Sequence, residues 1–178
     1  IMLPGAAIGT IAGWLLWTVV SDAVVMLMVG IITLLFVLDA LVPWRKKLEG
    51  LPPSRPWGTF WGGLAGFTSF ISHTGGPPFQ IYALPLRMPP AVYAGTSAFF
   101  FAIVNTSKLI PYYFLGQLNV HNLTLSAMLA PVGIIGVLLG VFLVRRISAK
   151  LFYQIAYWLI FVLAFKLVWD GISGIMAG

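Results

Sequence analysis

The feature that most constrains this chain is a set of long apolar runs with almost no charge inside them. They are Leu3–Val20, Ala23–Pro43, Pro90–Leu115, Leu123–Val144 and Leu151–Ile175. Each is near or above the ~20 residues that a helix needs to cross a ~30 Å hydrocarbon layer. In lipid every backbone polar group must be satisfied within the structure, so runs of this length are read as helices. The chain is 60% hydrophobic and 8% charged over 178 residues. A water-soluble domain carries about a quarter charged residues. The expected class is an all-α polytopic membrane protein with the lipid bilayer as its surroundings.

The same composition narrows the chemistry. There is no cysteine, so disulfides, thiolate catalysis and cysteine metal sites are excluded. The net charge of +6 does not point to nucleic acid, because the basic residues sit in short loops between apolar runs. No cofactor and no metal site are expected. No signal peptide is evident, and the first span can itself be inserted.

Lys and Arg in short loops mark the cytoplasmic side. The loop "WRKKLEGLPPSRP" (Trp44–Pro56) holds Arg45, Lys46, Lys47 and Arg55, and "RRISAK" holds Arg145, Arg146 and Lys150. The turn Ser21–Asp22 and the stretch "GQLNVHN" (Gly116–Asn122) have none and belong outside. Trp14, Trp17, Trp44, Trp57, Tyr112 and Tyr113 fit interfacial belts. Both basic loops can be inside only if an even number of crossings separates them. Pro90–Leu115 and Leu123–Val144 supply two. The remaining segment, Trp57–Met88, is broken by "HTGGPP" and must enter and leave on one face. The pattern predicts a re-entrant helical hairpin with that break at its tip. Non-helical backbone at membrane depth needs protein or a water-filled cavity to satisfy it.

A repeat is also legible. "LPGAAIGTIAGWLL" (Leu3–Leu16) aligns with "APVGIIGVLLGVFL" (Ala130–Leu143) at an offset of 127, matching Pro4 to Pro131, Gly9 to Gly136, Gly13 to Gly140 and Ser21 to Ser148. The glycines form small-xxx-small faces, which allow close helix approach. Ser21 is expected outside and Ser148 inside, so the copies run oppositely, as in inverted repeats. The chain then divides into residues 1–43 (two helices closing a first repeat), the basic loop 44–56, and a second repeat, 57–178. The second repeat holds the hairpin 57–88 and helices at about 90–115, 123–144 and 151–175. Subtracting 127 places the counterparts of 57–129 upstream of Ile1, so an N-terminal piece with its own glycine-rich hairpin is expected there.

The polar residues near the break suit an oxyanion. Trp57–Ser72 and the span from Pro90 to Asn105 have equal length, which puts Ser72, His73, Thr74, Gly75, Gly76, Asn105 and Lys108 at one level. Thr96 and Ser97 lie lower, and Gln80 lies on the return arm. Freed N–H groups at Gly75–Gly76 and a helix start near Pro77–Pro78 favour negative charge. No Asp or Glu occurs between Glu49 and Asp170, and a carboxylate would repel an anion. Each residue also has a structural reading. His73 is either a hydrogen-bonded structural histidine or a group that titrates near neutral pH. Lys108 either snorkels to the interface or serves the site. Asn105, Thr96 and Ser97 can also be interhelical hydrogen-bond glue. Arg87 is read as interfacial, and Lys166 with Asp170, four apart, as a pair.

"GLAGFTSFISHTGGPPFQIYALP", followed by "YAGTSAFFFAIVNTSKLIPYYFLGQL", resembles the second half of the sulfite exporter TauE/SafE family, also called the 4-toluene sulfonate uptake permeases. "PGAAIGTIAG" resembles the end of its first half. The resemblance implies a transporter with two related halves in the bacterial plasma (inner) membrane, moving sulfite, sulfonates or related sulfur-containing anions. It carries Ser72–Pro77, the Thr96–Ser97 pair, Asn105 and Lys108 onto the site, with proton coupling as an expectation.

The function read from the sequence is secondary transport of a small anion. A passive anion channel would use similar donors and cations and stands as the alternative. A membrane-embedded enzyme ranks lower, since hydrolases and metal enzymes need clustered acids or histidines and His73 and His121 are the only histidines. A homo-oligomer is compatible with the sequence.

Overall fold

The structure is a computed structural model that describes residues 1–40 and 52–177. The basic residues Arg45, Lys46 and Lys47, with Trp44, lie outside the described residues. The elements are α1 (Met2–Leu16), α2 (Asp22–Ala40), α3 (Arg55–Ser72), α4 (Gly76–Ala83), a 3₁₀ turn (Leu84–Leu86), α5 (Pro90–Phe114), α6 (Val120–Arg146) and α7 (Ala149–Ala177). No strand occurs among the described residues. Three helices are long and apolar enough to cross a membrane: α2, α6 and α7. Helix α1 is apolar but shorter. Helix α5 is long enough, yet its polar residues Thr96, Ser97 and Asn105–Lys108 make it a less apolar rod.

Glycines set the closest contact in the molecule, between α1 and α3. A Cβ at Gly5 would strike the carbonyl oxygen of Thr59, one at Gly9 that of Gly63, and one at Gly66 that of Ala6. At Gly13 it would come 2.9 Å from Cβ of Phe70. Contacting pairs rise together along both helices, Met2 with Gly62 and Ala6 with Gly66, so α1 and α3 run parallel. Only residues without side chains permit such an approach.

Helix α3 ends where His73 adopts a left-handed conformation, φ 54° and ψ 20°. The N–H of Thr74 then bonds the Thr68 carbonyl at 3.2 Å, a closure typical of a helix end with a left-handed cap. Gly75 packs directly on α3, where a Cβ would lie 2.6 Å from the Ala65 oxygen and from Cβ of Ser69. Helix α4 then runs back along α3, and the Tyr82 hydroxyl donates to the Ser54 carbonyl at 3.1 Å. The two arms form a helical hairpin whose ends meet at its base. Arg87 turns the chain there with φ 51°, its guanidinium 4.7 Å from the centroid of Tyr153.

Helix α5 rises from this base beside the hairpin. Tyr93 and Phe100 pack on Phe79 of α4, and Lys108 and Tyr112 reach α3 near the tip. Helix α7 also starts at the base, where the Tyr153 hydroxyl donates to the Met88 carbonyl at 2.7 Å. It lies antiparallel to α2, with Gly30 against Val168, Gly171 against Leu27 and Gly174 against Ala23. Helix α6 follows α5 in the chain and leads into α7. Its start is capped by Asn119, whose side chain accepts from the Asn122 N–H at 2.9 Å, and none of its residues is buried. Lys166 pairs with Asp170 on α7, as their spacing predicts.

Candidate functional site

The polar residues gather where the hairpin tip meets α5. Ser69 and Ser72 are buried on the last turn of α3. The Ser72 hydroxyl donates back to the Thr68 carbonyl at 3.2 Å and lies 2.7 Å from the Thr74 hydroxyl. The Thr68 hydroxyl bonds the Leu64 carbonyl at 2.8 Å. These bonds spend the local donors on the helix end, which holds the bend in one shape.

The cation at the tip is Lys108. It is 2% exposed, and its ammonium donates to the carbonyl and to the hydroxyl of Ser69, each at 2.9 Å. The ring of Tyr112 lies 6.0 Å away. No carboxylate pairs with Lys108 among the described residues. A buried ammonium without a counter-charge is expensive, and three N–H donors against two acceptors leave one donor unspent. His73 is exposed on the outer side of the bend, its ring 6.2 Å from Tyr112 in an edge contact. The charges of Lys108 and of Asp22, in the first turn of α2, both act on it.

The expected site residues separate into groups. Ser72, His73, Thr74 and Lys108 come together at the tip through Ser69 and Tyr112. Gly75 is buried against α3, and a Cβ at Gly76 would meet nothing within 4 Å. Gln80 sits half-buried on α4. Thr96 lines a different space, an apolar cavity of about 320 Å³ with Phe79, Tyr82 and Phe100 near the base. Ser97 is half-buried beside it on α5, and Asn105 is exposed. Between α4 and α5 the chain passes through the 3₁₀ turn and Arg87–Pro89, and α5 meets the tip through Lys108 and Tyr112 rather than through Asn105.

Two contributors were not read from the sequence. Ser69 holds Lys108, and Tyr112 bridges Lys108, His73 and the Phe70 carbonyl at 3.4 Å. The spacing Ser69–Ser72–Thr74 signalled a hydroxyl-rich helix end, but nothing local signalled the partners on α5. Elsewhere, Thr10 on α1 is buried, and its hydroxyl has no hydrogen-bond partner among the described residues. No group of three His, Cys, Asp or Glu that could hold a metal occurs among the described residues.

Residues 1–167 match the family described as Sulfite exporter TauE/SafE. The chain belongs to the TauE/SafE family. This places it among transmembrane transporters of the sulfite-exporter type, in agreement with its apolar helices. In this TauE/SafE chain the matched residues include the whole hairpin, α5, α6 and most of α7. Comparison with curated proteins and with solved structures found no match.

Proposed function

We propose that this TauE/SafE protein is a secondary transporter of sulfite, sulfonates or related small sulfur-containing anions in the bacterial plasma membrane. The observation that carries the reading is the buried Lys108 ammonium, held on Ser69 with no carboxylate partner among the described residues and beside a broken helix. An oxyanion reaching the tip would supply the missing counter-charge and take the unspent donor. Its entry would be favoured by the positive end of α4, where Gly76 carries the first N–H and Pro77 and Pro78 have none.

In this reading α3 and α4 enter and leave the bilayer on the cytoplasmic face, with Ser54 and Tyr82 at the mouth and His73 at depth. The hairpin belongs to one of two inverted repeats, and the site is exposed alternately as one repeat rocks against the other. His73, the imidazole at the bend, is the group suited to take a coupling proton.

The test is flux of sulfite and small sulfonates in proteoliposomes, with Lys108→Met and His73→Ala beside the unaltered protein. Loss of flux in Lys108→Met is expected. Unchanged flux in both variants removes the site assignment. Uphill accumulation driven by a proton gradient is expected, and purely downhill movement would make the protein a channel.

A further inference from the structure

We infer that Ser69 is a built-in competitor of the transported anion. Its carbonyl and hydroxyl oxygens hold the Lys108 ammonium when the site is empty, and the turn of α5 between Ser107 and Pro111 carries the lysine off them when an oxyanion takes their place. This rests on the function proposed above and says how its site opens. The first observation is closure. Lys108 is 2% exposed, Ser69 4% and Ser72 8%, so an ion as large as sulfite does not reach the ammonium in this arrangement. The second is the nature of the contact. The left-handed bend sends the N–H of His73 to the Thr68 carbonyl rather than to its regular helical acceptor, the carbonyl of Ser69. That carbonyl takes the lysine instead. The carbonyl end of a helix carries partial negative charge, which attracts an ammonium and repels an anion. An anion is therefore better held by Lys108 away from the end of α3 than against it. An oxyanion also offers charged oxygens where Ser69 offers two neutral ones, so Coulomb attraction favours the exchange.

The third observation is the backbone around the lysine. Pro111 lies inside α5 and has no N–H, so the Ser107 carbonyl loses its regular donor. The Ser107 hydroxyl bonds back to the Val104 carbonyl at 2.8 Å, a contact that competes with the helix ladder. Lys108 sits between the two, in a turn where the ladder of α5 is interrupted. Helices bend at such places. Beyond Pro111 the helix ends at Phe114, and Gly116 turns the chain with φ 70°. What holds this outer turn against the hairpin, besides Lys108, is Tyr112. Its hydroxyl reaches the Phe70 carbonyl at 3.4 Å, which is long for a hydrogen bond.

The test follows Lys108 itself with methyl acetimidate, a small water-soluble amine reagent, in native membranes without added anion. Peptide mass mapping identifies the modified lysine. Ser69→Ala should raise the reaction rate at Lys108 several-fold. Pro111→Ala, which restores the helical N–H, should lower it several-fold. In proteoliposomes Ser69→Ala should also lower the KM for sulfite several-fold without raising maximal flux, and Ser69→Thr, which keeps a hydroxyl, should lie closer to the unaltered protein. Unchanged reactivity of Lys108 in both variants, or a raised KM in Ser69→Ala, would overturn the inference, since the serine would then be frame or a ligand of the anion. If Ser69→Ala does not fold, Pro111→Ala decides alone, and reactivity equal to or above that of the unaltered protein overturns the inference. The labelling needs no substrate. Altered Lys108 reactivity in the expected directions, with no sulfite flux in any protein, would remove the sulfur-anion reading and leave the opening of the site in place.

Discussion

The ammonium of Lys108 donates to both the carbonyl and the hydroxyl of Ser69, 2.9 Å away in each case. One residue of α5 thereby grips α3 just before the chain bends. The grip uses a charge where an uncharged donor would have served structure alone. A buried charge contributes little net stability after its desolvation, so stability alone does not account for it.

Lys108→Met should separate the two roles. Methionine leaves the Ser69 carbonyl and hydroxyl without their donor, a cost of about 1–3 kcal/mol, but it also removes the desolvation penalty of a buried charge. Thermal unfolding in detergent should therefore change little. Sulfite flux should fall by about tenfold or more, since a hydrogen bond to a charged group contributes roughly 1.5–3 kcal/mol. Equal losses in stability and flux would make the lysine structural.

His73 occupies a left-handed conformation that costs a residue with a Cβ about 1–2 kcal/mol. His73→Gly should keep or raise stability, and His73→Val should lower it, as read by the detergent melting temperature. If the imidazole carries the coupling proton, His73→Gly should also flatten the pH profile of flux across roughly pH 5–8. A profile that survives the change would assign His73 to the bend alone.

Gly9→Leu should be among the most damaging single changes, because its side chain would meet the Gly63 backbone. Overpacking of this kind costs about 1–3 kcal/mol or more. Gly95→Ala is the control. It lies in α5 with nothing within 4 Å of an added Cβ, and should gain about 0.5–1 kcal/mol. Size-exclusion profiles after heating would rank the two.

The sidedness of the hairpin can be read with thiol labels. Ser54→Cys and Ser148→Cys should react from the cytoplasmic face and Ser21→Cys from the opposite face. Labelling of Ser54 and Ser148 from different faces would mean that α3 and α4 together cross the bilayer.

The sequence carried the helix break clearly, because glycine, proline and histidine interrupt an apolar run in a way few other elements need. It also carried the Lys166–Asp170 pair, which depends only on helical spacing. The exposure of Asn105 was not legible, because counting residues from Pro90 gives a distance along α5 but not which side of that helix faces α3. Ser69 and Tyr112 escaped notice because their roles arise only when α3 and α5 touch. The glycine face of α1 was legible, but its partner α3 was not, since small residues announce closeness without naming a neighbour.

The meeting of Gly9 with the Gly63 peptide has a mechanical consequence. Rods that touch through main chain have no layer of side chains between them to repack, so any movement of the first helix relative to the bent arm has to proceed along the track of glycines itself.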